Sequence, residues 1–371
     1  MRIFQILEFN QFNTGSVHQM FQAAVGLRVR GHDVTVISRP DATLRDRCEE
    51  RGVAFIGLPL RNQFDIVSIR RLQRIVEQQK PDVIHVHKGV AHALALAATW
   101  RHPVGAFIVN RGVSFPLDVW NRAKFRTRRV DRVVTVCEQI RQVVIASGKL
   151  PPEKVVVVYA GTDIDRFDPA KWPRDNFRRE KNIAEGDFLI GQVGVRDWKG
   201  WKELIDAAVM VPRVRVALIG CRNDAEKDEV MSYARERHIA DRVIAVEYRG
   251  DMPNVLAACD LVVDASWAGT GITGTIREAM AMQKPVIATD CGGNAELVSS
   301  RDVGWLVPPR DIAALVKAIE EVVADRDRAA RVAKSAREHV VRGFSADLRI
   351  TRLESLYARV LELRSANRAK A

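Results

Sequence analysis

Two cations, Arg196 and Lys199, sit in Val193–Gly200 (VGVRDWKG), where an apolar run ends in a turn bounded by glycines. Arginine offers a planar bidentate fork and lysine a compact point charge, and both suit a diphosphate. Further on, Asp264–Glu296 reads DASWAGTGITGTIREAMAMQKPVIATDCGGNAE, with glycines at 269, 271 and 274 between an apolar run and a helix-like segment, Thr275–Met282. Glycines there let the backbone approach an anion at a helix N-terminus. Glu278, inside that segment, can accept hydrogen bonds from ribose hydroxyls. The stretch reads as one wall of a nucleotide-diphosphate pocket.

Another chemistry fits part of the same text. Gly269–Gly274 is a literal G-x-G-x-x-G, and Asp290 follows about 20 residues on, as in a dinucleotide fingerprint. That reading makes the protein an NAD-dependent dehydrogenase. Against it, the fingerprint ordinarily follows the first strand of its domain, and this loop comes after several strands. The first strand of the chain runs into Asn10–Ser16, which holds one glycine, Gly15. Asp163–Ile164–Asp165 has the spacing of an acidic metal motif but falls in a connecting segment, and no metal site is assigned.

The elements that must carry these residues alternate. Ile3–Phe9 reads as a strand, Val17–Arg30 as a helix with Met20, Phe21, Ala24 and Leu27 on one face, and Asp33–Ile37 as the next strand. Phe64–Gln79 and Val90–Trp100 read as helices, and Val83–Val86, Ala106–Val109 and Arg132–Val136 as strands. A second series follows Pro151–Pro152, with strands at Val155–Tyr159, Phe188–Val193, Arg215–Ile219, Val243–Val246 and Leu261–Val263. Strand–helix alternation predicts an α/β protein of two doubly wound, Rossmann-like domains facing one another across a cleft. The expected domains are 1–160 and 161–345, with 346–371 a C-terminal helix packing back toward the first. The polar, Pro-containing stretch up to Asp187 reads as the linker.

Composition narrows the class. At 371 residues, with 47% apolar and 28% charged content, the chain can fill two cores, and no apolar run is long enough to span a membrane. Met1–Gly15 reads as a strand and its loop, not a leader. Five dispersed cysteines fit a reducing compartment, so a cytoplasmic location is expected. The net charge of +12 is uneven: residues 1–160 hold 24 Lys/Arg against 13 Asp/Glu, and 161–371 hold 34 against 33. The basic field of the first half favours anionic partners. Its densest point, Arg122–Arg132, is expected to touch an anionic acceptor or membrane surface, since no nucleic-acid motif accompanies it.

The ordered motifs resemble the retaining, nucleotide-sugar-dependent glycosyltransferases of the two-domain GT-B architecture, family-4 type. The resemblance rests on Ala160–Phe167 (an NGVD-x-x-RF-like segment), Gly194–Gly200 (GR…KG), Cys259–Ser266, Glu278–Thr289 (EAMA-x-x-x-PVIAT), Gly292–Glu296 and Gly304–Asp311. Gly31–Val34 and Asp82–His87 are similar text in the first half.

The resemblance implies roles. Arg196 and Lys199, with Gly194, bind the donor diphosphate, and Glu278 holds the ribose. Thr270, Gly271, Ile272, Thr273 and Gly274 approach sugar and phosphates, and Arg249 lies near the base. Gly15 lets the first domain close on the donor, Arg111 faces the acceptor, and His87 and His85 are candidates for acceptor contact, with at least one of the two read as a buried structural histidine. The donor is a UDP-, GDP- or ADP-linked sugar, with no cofactor or metal. The acceptor is an anionic or lipid-linked glycan of the cell envelope, of lipopolysaccharide or exopolysaccharide type, met at the inner face of the membrane. Two departures stand out. Thr270 replaces the first of the family's two glutamates, which leaves a silent sugar-nucleotide-binding protein as an alternative. Arg111 replaces a histidine with a permanent charge.

Overall fold

The computed structural model describes residues 1–11, 14–268 and 271–369. The chain divides into two compact units, one of Met1–Gly161 with the segment from Ala346 onward, the other of Thr162–Ser345.

The first unit holds β1 (Arg2–Leu7), β2 (Asp33–Ser38), β3 (Ala54–Gly57), β4 (Val83–Val86), β5 (Ala106–Arg111), β6 (Arg132–Thr135) and β7 (Val155–Val157). They form one sheet in the order β3-β2-β1-β4-β5-β6-β7, and every neighbouring pair is parallel. The second unit holds β8 (Phe188–Val193), β9 (Val214–Cys221), β10 (Val243–Glu247), β11 (Leu261–Asp264), β12 (Val286–Thr289) and β13 (Trp305–Val307). Their order is β10-β9-β8-β11-β12-β13, again parallel throughout.

Parallel sheets are covered on both faces, so their strands are continuous apolar runs, not alternating ones. VIHV of β4, LVVD of β11 and VIAT of β12 are buried at every position. Ile3, Leu7, Val83 and Ile108 pack with Met20 and Leu27 of the Gly15–Val29 helix and with Ile350, Leu353 and Tyr357 of the Ala346–Ala369 helix. That long helix buries residues three to four apart, the period of one helical face. In the second unit Trp201, Leu204, Trp305 and Ile319 anchor the corresponding core.

The two doubly wound sheets fit the expected fold class. The linker placed on composition is corrected. The polar residues leading to Asp187 belong to the second unit and include the Asp175–Glu180 helix, whose Arg178 reaches Asp260 at 2.8 Å. Charge and proline made this stretch look unpacked, whereas buried ion pairing orders it. No helix among the described residues is long and apolar enough to cross a membrane.

Candidate functional site

In each sheet the strand order reverses once, between β1 and β4 and between β8 and β11. Loops leaving the carboxyl ends of strands diverge at such a point and open a crevice for a ligand. Gly194, Arg196 and Lys199 lie in the loop leaving β8, residues 271–274 and Glu278 in the segment leaving β11, and Arg249 beyond β10.

Beyond β8 the chain makes a tight turn through Asp197–Lys199 and enters the Trp201–Met210 helix at Gly200. Gly200 sits at φ 68°, and a Cβ there would lie 2.0 Å from the Ala265 carbonyl oxygen, so only glycine fits. Buried Gln192 of β8 bolts the turn to the neighbouring loop. Its Nε2 donates to the Lys199 carbonyl at 3.1 Å and its Oε1 accepts from the Ala265 amide at 3.3 Å. Trp267 adds two bonds, donating its backbone N–H to Trp198 O at 2.9 Å and its indole N–H to Asp197 O at 3.0 Å. Lys199 is thereby held at the crevice, with its ammonium 5.1 Å from the Trp198 ring centroid and 3.5 Å from Asp264 Oδ1.

Asp264, the last residue of β11, is buried and accepts hydrogen bonds from Ser266 Oγ at 2.7 Å, Thr273 Oγ1 at 2.7 Å and Asn294 Nδ2 at 3.1 Å. Burial pushes its carboxyl up, but Lys199 and these three donors outweigh that, so it stays below the ordinary carboxylate range. Thr273 begins the Gly274–Ala281 helix, and Glu278 lies one turn in. Burial pushes the Glu278 carboxyl up, opposed by Arg277 and Arg166. Among the described residues nothing donates a hydrogen bond to it, so its acceptors are available to a ligand.

The other site residues distribute unevenly. Gly194, at φ 98°, ends β8 against the Lys199 stem. Gly271, Ile272, Thr273 and Gly274 lie beside the Asn294 segment, where Gly293 N donates to Gly271 O at 3.3 Å. Gly269 and Thr270, the latter the basis of the silent-protein alternative, lie outside the described residues. Arg196 is not brought to Lys199. Its Nη1 donates to Val195 O at 2.7 Å and to both Glu226 oxygens at 3.2 Å, so a carboxylate already pairs its charge. Arg249 is likewise committed, to Asp251 at 2.7 and 2.8 Å and to Glu180 at 2.6 Å.

In the first unit, Glu8 at the end of β1 accepts from the Val90 and Ala91 amides at 3.2 Å, capping the Gly89–Ala98 helix at the β1/β4 crossover. His87 is only 3% exposed and bonds Gln5 Oε1 through Nε2 at 2.6 Å, and His85 bonds the Tyr357 hydroxyl through Nδ1 at 2.6 Å. Burial pushes His87 down to about 3, which keeps its ring neutral. The structure thus places both histidines in the interior, not on a surface. Arg111 is half-buried at the end of β5 and donates to Phe115 O at 2.7 Å. Gly15 opens the first helix, with open space where a Cβ would stand. Of the basic run, Arg129 is tied down by Leu96 O and Thr99 Oγ1, both at 2.7 Å, whereas Arg126 and Arg128 are exposed.

Sequence reasoning gave no role to Gln192, Asp264, Ser266 or Asn294. A signal existed for two of them: Gln192 and Asp264 are polar residues at buried strand positions in otherwise apolar runs.

Comparison with known proteins agrees with the fold class. Residues 173–339 match the family "Glycosyl transferases group 1" and residues 14–166 match "Glycosyltransferase Family 4". The chain is 23% identical over 347 residues to UDP-Gal:alpha-D-GlcNAc-diphosphoundecaprenol alpha-1,3-galactosyltransferase of Escherichia coli, covering 88% of each chain. Among solved structures it superposes on a glycosyltransferase from Rickettsia africae with a TM-score of 0.89 at 19% identity, covering 97% of this chain and 98% of the other. It also superposes on HepE from Anabaena, solved with UDP, with a TM-score of 0.84 at 21% identity, covering 97% and 100%.

Proposed function

From the premise that the chain belongs to the group 1 and family 4 glycosyltransferases, which are GT-B sugar transferases, we propose that its second unit binds a nucleotide-diphosphate sugar at the β8/β11 crevice. The dehydrogenase alternative falls with that membership. It falls also on topology, because the G-x-G-x-x-G follows β11 and not β8, the first strand of its sheet.

The observation that carries the reading is the convergence of Lys199 and the N-terminus of the Gly274–Ala281 helix on one crevice. Cleavage of the sugar–phosphate bond builds negative charge on the departing diphosphate. An ammonium fixed by Gln192 and Asp264, with backbone N–H groups aimed from a helix start, stabilises that charge without reorganising. Glu278 receives the ribose hydroxyls. The sugar is transferred with retention, the acceptor attacking the face the diphosphate leaves while a phosphate oxygen takes its proton. Arg196 reaches the diphosphate by exchanging Glu226 for it, an ion-pair swap between partners of like charge.

UDP is the first base to test, because the E. coli relative uses UDP-Gal and HepE was solved with UDP. The acceptor we propose is an anionic, lipid-linked glycan of the cell envelope, met by the first unit. Three features support it: the excess of cations before residue 161, half-buried Arg111, and exposed Phe115 (61%) and Val119 (72%), close in sequence to exposed Arg126 and Arg128. Apolar side chains next to cations suit an anionic membrane surface at the inner face. The E. coli relative's diphosphoundecaprenol-linked acceptor supports the same class.

Calorimetric titration with UDP, GDP and ADP tests the donor half. One nucleoside diphosphate should bind, and Lys199→Ala should weaken it at least tenfold. Binding that ignores Lys199, or no binding of any of the three, would remove the proposal's main support.

A further inference from the structure

Asp264 follows three apolar residues, Leu261, Val262 and Val263, into the interior. A buried carboxylate needs full compensation by hydrogen bonds and charge. Here each oxygen faces two donors. Oδ1 accepts from Ser266 Oγ at 2.7 Å and lies 3.5 Å from the Lys199 ammonium, and Oδ2 accepts from Thr273 Oγ1 at 2.7 Å and Asn294 Nδ2 at 3.1 Å. Those donors come from three different loops, following β8, β11 and β12.

The next contacts tighten the arrangement. Asn294 Oδ1 accepts from the Thr273 amide at 3.1 Å, and its Nδ2 also donates to Thr289 O at 3.2 Å. The Thr289 hydroxyl donates to the Asp264 carbonyl at 3.3 Å and to the Ser266 carbonyl. Thr273 occupies the N-cap of the Gly274–Ala281 helix, yet its side chain makes no capping bond. A threonine there ordinarily accepts from the second or third helical N–H. This one gives its hydroxyl to Asp264, which leaves the first-turn N–H groups uncapped by it and open to an anion.

We propose that Asp264 is a positioning residue: a single buried carboxylate sets the Lys199 ammonium and the uncapped start of the Gly274–Ala281 helix against one diphosphate. The inference rests on the donor reading above and deepens it. The Lys199 contact fits the role. At 3.5 Å it is longer than the 2.7–2.9 Å of a tight charge-assisted bond, so the ammonium is aimed without being consumed. An asparagine could not substitute. Its NH₂ would face a donor at one of the two oxygen positions, and the uncharged amide would no longer hold Lys199.

The test is calorimetric titration of the full chain, Asp264→Asn, Lys199→Ala and the double variant with UDP, uridine and inorganic pyrophosphate. Asp264→Asn should weaken UDP and pyrophosphate at least tenfold and uridine less than twofold. In the Lys199→Ala background the same change should weaken UDP by a smaller factor, because one of the two groups being positioned is gone. Equal losses in both backgrounds, a matching loss for uridine, or unchanged or tighter UDP binding would overturn the role. If Asp264→Asn does not fold, Thr273→Val and Thr273→Ser decide. Loss of UDP binding in the first, restored in the second, supports the hub, and indifference to both overturns it. Pyrophosphate binding that depends on Asp264, without any nucleoside diphosphate binding, would keep the hub and end the donor reading. A wild-type chain that binds neither ends both.

Discussion

Replacing Lys199 by alanine removes the ammonium that faces Asp264 while leaving its backbone contacts with Gln192 and Arg196 in place. The side chain is 15% exposed, so a phosphate beside it would sit in a partly desolvated setting. At about 4 Å and an effective dielectric of ~20, one ammonium–phosphate contact is worth about 4 kcal/mol before desolvation. The ammonium's standing attraction to Asp264 at 3.5 Å offsets much of that, because a phosphate must share it. The surplus in the ground state is therefore roughly 1.4–2 kcal/mol, or about 10- to 30-fold in nucleoside diphosphate affinity. In the transition state the leaving diphosphate carries additional charge, and removal of one preorganised donor costs about 2–4 kcal/mol. The loss in kcat should therefore exceed the loss in affinity.

Calorimetry with UDP and steady-state kinetics with the matching UDP-sugar separate these two numbers. Lys199→Arg should recover part of the affinity but less of kcat, since a planar fork cannot occupy the position of a point charge held by Asp264. A Lys199→Ala variant that binds UDP as tightly as the parent, or that loses affinity without losing kcat, refutes this role. The first outcome would place the diphosphate elsewhere. The second would make Lys199 a binding group that does not act on the leaving group.

Gly200→Ala forces a Cβ to within 2.0 Å of a backbone oxygen at a positive φ, and should lower stability by roughly 3 kcal/mol or more, read by denaturant unfolding. Asp260→Ala leaves the buried Arg178 guanidinium without its carboxylate and should cost about 3–5 kcal/mol by the same measurement, against little change for exposed Arg342→Ala. Hydrogen bonding from Arg249 holds Asp251 down at about 2. Because the folded value is depressed, its stabilisation is present above pH ~4 and is lost as pH falls toward 2. Asp251 is more than a third exposed, so solvent screening leaves roughly 1 kcal/mol of it. Asp251→Asn should flatten the acid limb of the unfolding curve by that amount, and an unchanged limb would show the pair contributes nothing.

What could be read from the chain follows from the range over which each property is decided. Strand runs such as LVVD and VIAT are buried on both faces, so their composition alone marks a parallel sheet. Lys199 stands beyond β8 in a turn fixed by Gln192 and Trp267, contacts that the spacing of VGVRDWKG does not announce. Arg196 stands closer to the strand. It precedes the turn in extended conformation, at φ −134° and ψ 148°, and that backbone state sends its side chain to Glu226, 30 residues further along. His85 of β4 and His87 just beyond it stack their rings 4.4 Å apart, but nothing near them in sequence says what covers them. The answer is Tyr357, 272 residues beyond His85. Asp264 is the strongest case. Its partners lie 65, 9 and 30 residues away, on three loops that meet only where the strand order reverses. A sequence shows that a carboxylate ends an apolar strand. Only the reversal at β8/β11 gives that carboxylate an ammonium on one oxygen and a helix N-cap on the other, and with them a task that a leucine at the same position could not perform.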